Sequence, residues 1–394
     1  MSRPPVYLDN HSTTRPDPRV VEAMLPYFHE IYGNAASISH RFGWDAAEAV
    51  EEARARVAES IGADPKEIVF TSGATESNNL AIKGALPALK RRGDHLVTAA
   101  SEHKSVLDVM KRLSREGWNV SFVPCDETGL VSAEAVEQAL TPSTVLVSVM
   151  TANNEVGTLN PIGEIGRLCH DRKIVFHTDA TQAVGKVDLD VQADGVDLLS
   201  LSGHKIHGPK GVGALYVRRR DPQVRLQPQI DGGGHERGLR SGTLPVPLIV
   251  GLGKAVELMF LEKPDEPNRI KALRDRLEAG IVGRVADVRL NGHPTRRLGG
   301  NLNLSFAFVD GESLMTAIRD VAVSSGAACT SVDPEPSHVL RAMGRDDESA
   351  RASLRFGVGR FNTEDEIDYA IEVVAEAVAR LRKHSAAWSS TSAL

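Results

Sequence analysis

The sequence predicts an α/β protein: a large domain with a mainly parallel, seven-stranded sheet between layers of helices, followed by a smaller α+β domain. Strand-like and helix-like segments alternate from about residue 45 to residue 220. The strand-like segments are almost uniformly apolar, which is typical of parallel strands that helices cover on both faces. Beyond residue 262 the pattern changes to segments in which apolar and polar residues alternate, and this change indicates a second unit.

Short apolar runs and amphipathic runs build the predicted large domain. The apolar runs are bounded by polar or glycine-containing turns, as expected of buried strands. In the amphipathic runs apolar residues recur at helical spacing, Ser132 is a suitable N-cap, and Pro161 suits a first turn. The predicted strands span residues 67–70, 95–100, 119–124, 144–152, 174–180, 196–202 and 211–219, and the helices span 46–61, 72–86, 105–117, 132–140 and 161–173.

The C-terminal part contains two further predicted helices, residues 245–262 and 269–282. Residues 301–309 alternate apolar and polar side chains, which predicts a strand with one exposed face. Residues 353–359 form another predicted strand. The last twelve residues are mostly small and polar, which predicts a short disordered tail.

Composition and charge exclude several classes of protein. The 394 residues contain 46 lysines and arginines against 52 acidic residues, a net charge of −6. An acidic chain has little basic surface to neutralise phosphates, so nucleic acid is not expected as a direct partner. No apolar run reaches the roughly 18 residues that a membrane span needs. The first ten residues lack the apolar core of a secretory signal, so a cytoplasmic location is expected.

Three cysteines, Cys125, Cys169 and Cys329, are widely spaced and form no CxxC pair. A disulfide framework and a multi-cysteine zinc site are therefore not expected. Cys169 lies within a predicted helix, where a buried small apolar side chain is the ordinary interpretation. Cys329 instead lies among small residues in a segment of about 324–336, a composition that suits a mobile loop.

Polar side chains follow five of the predicted strands at the point where each strand ends. In a sheet of this kind ligands bind beyond the carboxyl ends of the strands. Each cluster taken alone has an ordinary explanation as a helix cap or a solvated loop, but this topology brings the strand ends together. The clusters are Thr-Ser-Gly-Ala-Thr-Glu at 71–76, Ser-Glu-His at 101–103, Asn-Asn-Glu at 153–155, Asp-Ala-Thr-Gln at 179–182 and Ser-Gly-His-Lys at 202–205.

The chemistry of these clusters matches the parts of a pyridoxal phosphate site. A lysine can form a Schiff base, a carboxylate can pair with a pyridinium nitrogen, and a small-residue helix start can hold a phosphate. The predicted roles are Lys205 for the Schiff base, Asp179 for the pyridinium, His103 for stacking on the ring, Asn154 and Gln182 for the ring substituents, and Thr75, Ser202 and His204 for the phosphate.

Two alternative cofactors are weaker. Residues 251–256 mimic the first part of a dinucleotide-binding GxGxxG motif, but valine occupies the sixth position and no acidic residue ends a following strand. His204 and His207 are spaced for a turn, and no third metal ligand accompanies them. No resident metal is therefore predicted.

The longer motifs identify the sequence as similar to the cysteine desulfurases, in the class V aminotransferase group of fold-type-I pyridoxal phosphate enzymes. The resemblance runs from YLDNHSTT at residues 7–14 to RFGVGRFNTEDEID at 355–368, and it includes TSGATESNN, HTDATQAVGK, SLSGHKIHGPKGVGALYVR and GGGHERGLRSGT. The segment SSGAACTSVDPEPSHVL resembles the housekeeping, iron–sulfur type with its long cysteine loop. Alanines at 35 and 36 and Asn160 depart from the usual family pattern.

The resemblance implies a function, a cofactor and a division into domains. It implies removal of sulfur from L-cysteine with pyridoxal 5'-phosphate, which yields L-alanine and a persulfide on Cys329. The sulfur would then go to an iron–sulfur scaffold protein or another acceptor, with tRNA thiolation as a further destination. The implied fold places a large domain at 16–262 and a small domain at 1–15 and 263–394, in a homodimer.

The same resemblance implies the site residues. Cys329 and Lys205 would act in catalysis, with His103 donating or accepting a proton near the thiols. Arg355 would bind the substrate carboxylate with help from Asn154, and Cys329 could ligate an iron–sulfur cluster during transfer. The implied cofactor contacts are Ala74, Thr75, Asn154, Gln182, Ser202, Gly203, His204 and Lys205, with Thr243 reaching the phosphate of the other subunit.

Two other functions stay open at the level of sequence. A class V transaminase or a selenocysteine lyase would share the cofactor site and would not need a persulfide-carrying cysteine. A non-catalytic sulfur-transfer scaffold subunit would need no cofactor at all. The role of Cys329 separates the desulfurase from the first alternative, and cofactor binding at Lys205 separates it from the second.

Overall fold

The structure, a computed structural model, describes residues 5–325, 335–384 and 388. The strands are β1 (Val6–Tyr7), β2 (Ile68–Thr71), β3 (His95–Ala99), β4 (Asn119–Val123), β5 (Thr144–Ser148), β6 (Val175–Asp179), β7 (Leu198–Ser202), β8 (Gly213–Val217), β9 (Val288–Asn291), β10 (Asn301–Phe306), β11 (Val321–Ala322), β12 (Ser324–Ser325) and β13 (Ser353–Gly357). The α-helices are α1 (Pro18–Met24), α2 (Pro26–His29), α3 (Arg41–Glu59), α4 (Ala74–Leu89), α5 (Lys104–Arg115), α6 (Ala133–Ala139), α7 (Ile162–Asp171), α8 (Val246–Glu262), α9 (Glu266–Val282), α10 (Gly311–Ala317), α11 (His338–Ala342), α12 (Asp347–Arg351) and α13 (Glu364–Arg382).

The large sheet has seven strands in the order β2-β8-β7-β6-β5-β3-β4. β8 runs antiparallel to both of its neighbours, and the remaining pairs are parallel. The predicted mainly parallel, seven-stranded sheet is confirmed. The predicted N-cap is also confirmed, since the Ser132 side chain accepts a hydrogen bond from the backbone N–H of Ala135 at the start of α6.

Helices cover both faces of this sheet, which explains why its strands are apolar throughout. Successive residues of one strand point to opposite faces. Thus Leu146 packs in the core under α4 and α5, whereas its neighbour Val147 packs in the core that includes α3 and α8. All five residues of each of β3, β5, β6, β7 and β8 are buried.

A smaller unit contains a four-stranded antiparallel sheet in the order β12-β13-β10-β9. Its apolar core joins side chains from α9 and α13 to those of β10 and β13. Val6 and Leu8 of the N-terminal arm belong to the same core, and β1 pairs with β11. This packing supports the proposed division into a large domain at 16–262 and a small domain at 1–15 and 263–394.

The prediction that β10 has an exposed face is wrong, because all six of its residues are buried. Its polar side chains are paired rather than solvated. The Asn291 side-chain amide donates to Asn303 Oδ1 at 2.9 Å and to Ser305 Oγ at 2.7 Å, and Ser305 Oγ lies 2.7 Å from Ser353 Oγ. Buried polar groups persist when they are hydrogen-bonded, so alternation does not imply solvent exposure here.

The glycines at 251–253 lie inside α8 and not in a turn between a strand and a helix, which excludes the dinucleotide-binding interpretation. A Cβ on Gly253 would lie 2.7 Å from the Cβ of Ala53, so this glycine allows α3 and α8 to approach closely. No helix in the described part of the chain is long and apolar enough to span a membrane. Most of the predicted tail lies outside the described residues, although Trp388 packs on Phe308.

Candidate active site

A cavity of about 730 Å³ lies at the carboxyl ends of the parallel strands, where the small unit contributes one wall. The structure brings most of the predicted site residues to this cavity. They are Ala74, Thr75, His103, Asn154, Asp179, Gln182, Ser202, His204, Lys205 and Arg355. Gly203 and Thr243 do not line it, and Cys329 lies outside the described residues.

The N-terminus of α4 forms one end of the cavity. Gly73 precedes the helix with φ of 148°, a backbone conformation that favours glycine. Ala74 and Thr75 follow, and the free N–H groups of a 16-residue helix begin here. Ser202 and His204 lie on the same cavity wall. Helix N-termini with hydroxyl and imidazole donors bind phosphate through N–H groups and the helix dipole.

Asp179 is held rigidly at the end of β6 and is buried. One of its carboxylate oxygens accepts a hydrogen bond from the Asn78 side-chain amide at 2.8 Å, and the other accepts from the backbone N–H of Thr181 at 3.0 Å. Each carboxylate oxygen can accept a second hydrogen bond. The carboxylate is therefore oriented and still able to receive a donor from a molecule in the cavity.

Lys205 follows β7 in a short 3₁₀ turn, Gly203–Lys205. Its Nζ donates to the backbone carbonyl oxygens of His11 at 2.7 Å and Ser12 at 2.6 Å, both in the N-terminal arm. Burial lowers the pKa of Lys205 to about 8, and the positive charge of Arg355 acts in the same direction. A lysine with a lowered pKa has a larger neutral fraction and is a better nucleophile near neutral pH.

His103 caps the N-terminus of α5. Its Nδ1 accepts a hydrogen bond from the backbone N–H of Ser105 at 3.1 Å, so a neutral ring carries its proton on Nε2. Burial lowers the pKa of His103, against an opposing effect of Asp179. The ring is thus neutral near pH 7 and can donate from Nε2.

His204 contacts the N-terminal arm, where its Nδ1 lies 3.1 Å from Thr13 Oγ1. Burial, together with the charges of Lys205 and Lys210, lowers the pKa of His204 to about 4. A neutral imidazole in this place serves as a hydrogen-bonding group. Lys210 lines the same cavity and adds a positive charge to it.

Arg355 comes from β13 of the small unit and faces the strand ends of the large sheet. Its guanidinium donates to the backbone carbonyl oxygen of Asn154 at 2.9 Å, to Asp9 Oδ1 at 2.9 Å and to Ser324 Oγ at 2.7 Å. Its Nε has no partner among the described residues. An oriented guanidinium with a free N–H is the preferred group for binding a carboxylate.

Pyridoxal phosphate fits the groups that face the cavity. Several buried polar atoms on its wall lack a hydrogen-bond partner within the described part of the chain: His11 Nε2, Asn154 Oδ1, Thr181 Oγ1 and Arg355 Nε. Unpaired buried polar atoms are costly, so their concentration on one wall indicates a polar ligand. The described residues contain no group of three potential metal ligands.

The two described cysteines are poor nucleophiles. Cys169 is fully buried in α7, as predicted, and burial raises the pKa of its thiol strongly. Cys125 is half-buried and packs against an apolar cluster that includes Met343, and burial raises its thiol pKa too. Because the thiolate is the nucleophile, neither is suited to accept sulfur.

The motif reasoning assigned no role to several residues that the structure places at the cavity. The N-terminal arm contributes His11, Ser12 and Thr13, and α4 contributes Asn78 as a partner of Asp179. Helical spacing offered a signal for Asn78, because it lies four residues after Ala74 on the same face. Residue spacing could not predict that the N-terminal arm reaches the cavity, because more than 160 residues separate His11 from its partner Gln182.

Comparisons with known proteins agree with this geometry. The family model for class-V aminotransferases matches residues 6–370. A cysteine desulfurase IscS from Anaeromyxobacter dehalogenans is 58% identical over 97% of this chain and 94% of its own length. The solved structure of a NifS-like protein is 38% identical with a TM-score of 0.89, covering 96% of this chain and 100% of that one. A structure of SspA in complex with cysteine is 39% identical with a TM-score of 0.80, covering 91% of this chain and 100% of that one. The chain belongs to the cysteine desulfurase family, within the class-V aminotransferases.

Proposed function

We propose that the protein removes sulfur from L-cysteine with bound pyridoxal 5'-phosphate, producing L-alanine and a persulfide on Cys329. One observation carries the proposal. Lys205, Asp179 and the N-terminus of α4 face the same cavity, and Arg355 of the small unit faces it from the other side. These groups match the aldehyde, the ring nitrogen and the phosphate of the cofactor, and the carboxylate of an amino acid.

Three groups of residues would hold the cofactor. Asp179 would accept the ring N–H, His103 would stack on the ring, and Gln182 and Asn154 would contact its substituents. Ala74, Thr75, Ser202 and His204 would receive the phosphate, with Thr243 serving the site of the second subunit. When bound, the cofactor withdraws electrons and stabilises a carbanion at the substrate α-carbon. A relative solved in complex with cysteine supports the same substrate here.

Lys205 and Arg355 act on the substrate. Arg355 binds the carboxylate and fixes the α-carbon beside the Lys205 amine. The lowered pKa of Lys205, about 8, leaves a substantial neutral fraction to take the α-proton. His103, neutral with its proton on Nε2, then donates or accepts protons at the thiol groups. Each assignment uses a side chain that already faces the cavity.

Cys329 is proposed as the sulfur acceptor on three grounds. The described cysteines are buried or half-buried with raised pKa values, and Ser324, close before Cys329, donates to Asp9 and accepts from Arg355. After Cys329 in the sequence, His338 Nε2 donates to the carbonyl oxygen of Glu102, the neighbour of His103, at 2.8 Å.

The Cys329 thiolate attacks the substrate sulfur. An S–S bond forms, the C–S bond breaks, and the carbon keeps the electron pair and gains a proton. Cysteine and one enzyme thiol thus become alanine and one persulfide without an external reductant.

The proposal includes a homodimer that hands sulfur to an iron–sulfur scaffold protein or another acceptor in the cytoplasm. Large apolar side chains crowd the surface of segment 25–44 and support an interface there. They are Leu25, Phe28, Tyr32, Ile38, Phe42 and Trp44, and each is more than half exposed. Monomers seldom expose contiguous apolar patches of this kind.

The proposal is tested with purified protein, L-cysteine and a thiol reductant. The wild type should show the visible band of bound cofactor and release sulfide with alanine in equal amounts. Lys205→Ala should lose both the band and the activity. Cys329→Ser should keep the band and lose sulfide release, whereas the matched control Cys125→Ser should retain both.

Two results would overturn the proposal. Sulfide release by Cys329→Ser at the wild-type rate would favour a lyase or transaminase that needs no persulfide. A wild-type protein that binds no pyridoxal phosphate would favour a non-catalytic scaffold. Mass spectrometry after incubation with L-cysteine adds a direct check, since one sulfur atom (about 32 Da) should appear on Cys329 and not on Cys169 or Cys125.

A further inference from the structure

Three hydrogen bonds to His11 and Lys186 hold the side-chain amide of Gln182. Its Oε1 lies 3.0 Å from Lys186 Nζ and 3.1 Å from His11 Nδ1, and its Nε2 donates to the His11 carbonyl oxygen at 2.8 Å. An amide oxygen only accepts, so Lys186 donates and His11 carries its proton on Nδ1. These partners determine both the amide orientation of Gln182 and the tautomer of His11.

His11 connects this arrangement to the catalytic lysine. Its carbonyl oxygen accepts from Lys205 Nζ at 2.7 Å as well as from Gln182. The residue is 3% exposed and lines both the main cavity and a smaller one of about 90 Å³ that Lys186 also lines. Within the described residues, Nε2 of its ring has no hydrogen-bond partner.

The charges around His11 keep its ring neutral. Burial lowers the pKa of His11 well below 6.5, and the positive charges of Lys186, Arg355 and Lys205 lower it further. Lys186 is itself affected, because burial and the charges of Lys205 and Arg355 lower its pKa to about 7. A neutral imidazole at this place supplies a hydrogen-bond donor without adding charge to a cluster of cations.

We propose that His11 is a positioning residue, which turns the free N–H of Gln182 toward a ring oxygen of the bound cofactor and holds Lys205 through its carbonyl oxygen. The inference rests on the proposed function. It gives the N-terminal arm a part in the chemistry, since the arm touches both the lysine and the amide that faces the cofactor. Lys186 acts with His11 as the second donor to the Gln182 oxygen.

Three substitutions separate positioning from packing. His11→Leu fills the space but removes the donor to Gln182. His11→Asn restores a donor, because the asparagine side-chain nitrogen and histidine Nδ1 are the same number of bonds from the backbone. Lys186→Met keeps the length of the side chain and removes the other donor. His170→Leu is the matched control, since His170 is exposed on α7 and does not line the cavity.

The measurements are the affinity of the cofactor-free protein for pyridoxal phosphate and the pH midpoint of the visible band of the loaded protein. His11→Leu should weaken the affinity about tenfold, the effect of one well-placed hydrogen bond. Its midpoint should rise by about 0.5 unit or more, because a lost donor leaves the ring oxygen with a stronger hold on the neighbouring proton. Lys186→Met should shift the midpoint in the same direction. His11→Asn and His170→Leu should match the wild type.

Unchanged affinity and midpoint in His11→Leu would overturn the proposal, even if thermal stability fell. So would a His11→Asn variant as defective as His11→Leu. If His11→Leu does not fold, an unshifted midpoint in Lys186→Met refutes the role of these donors. Failure of the proposed function is distinguishable, because the wild type would then lack the visible band or Lys205→Ala would retain it.

Discussion

Replacing Glu236 with alanine should destabilise the protein far more than replacing an acidic residue on the surface. Glu236 lies in the glycine-rich segment that precedes Thr243 and forms a buried ion pair with Arg54 of α3. Two hydrogen bonds of 2.8 Å join the Arg54 guanidinium to the Glu236 carboxylate. The Arg54 side chain is 3% exposed and the Glu236 side chain is 1% exposed. Glu236 Oε2 also accepts from the backbone N–H of Phe70 at 2.7 Å, which ties the segment to β2.

The magnitude follows from what alanine leaves behind. Arg54 would keep its charge in a buried site. Its remaining hydrogen-bond acceptors would be Glu51 and the Ile68 carbonyl oxygen, the latter at 2.9 Å. Breaking a buried pair in this way costs about 3–5 kcal/mol. Arg56 and Glu257 offer a matched, partly exposed pair, 3.1 Å apart with side chains 39% and 30% exposed. An exposed pair contributes about 0–1 kcal/mol.

Urea unfolding of the loaded protein, followed by fluorescence, measures the difference. With an m-value of about 3 kcal/mol per molar, the midpoint of Glu236→Ala should fall by roughly 1 to 1.7 M. The midpoint of Glu257→Ala should fall by about 0.3 M or less. A double variant, Arg54→Met with Glu236→Leu, should lose less than Glu236→Ala, because it leaves no unpaired charge.

Equal midpoints for Glu236→Ala and Glu257→Ala would refute the reasoning, since burial is the property that distinguishes the two pairs. A double variant less stable than Glu236→Ala would also contradict it. That result would mean that packing of the side chains, and not an uncompensated charge, determines the loss of stability.

Three further predictions follow from the pKa shifts. Burial lowers the pKa of His204 and of His207 to about 4, so the unfolded chain binds more protons than the folded one between pH 4 and 6.5. The urea midpoint should therefore fall as pH falls through that range. A urea midpoint that does not change with pH would contradict this. The lowered pKa of Lys205, about 8, predicts that capture of pyridoxal phosphate by the cofactor-free protein speeds up with a midpoint near pH 8, and a midpoint near 10.5 would show an unperturbed lysine. In the native protein at pH 7.5, iodoacetamide should modify Cys125 slowly and Cys169 only after unfolding; fast labelling of Cys169 would disprove its burial.

Sequence patterns located the polar clusters well because the sheet topology is itself a consequence of local signals. Asp179 ends one strand and Lys205 lies three residues after another, and the ends of parallel strands meet at one edge of a sheet. The error at β10 has a different origin. Alternation usually indicates solvent on one face, but Asn303 and Ser305 are paired with polar side chains from neighbouring strands. Such pairing depends on residues distant along the chain.

The local order of residues therefore determined the alternation of strands and helices, the family and the chemical types at the strand ends. Only the tertiary structure decided how these groups face one another. In the folded chain Arg355 donates to the Asn154 carbonyl oxygen, 201 residues away in the sequence, and Lys205 donates to the His11 carbonyl oxygen, 194 residues away. Hydrogen bonds and burial of this kind shift pKa values. Both depend on distance in space and not on distance along the chain, so only the tertiary structure determines these shifts.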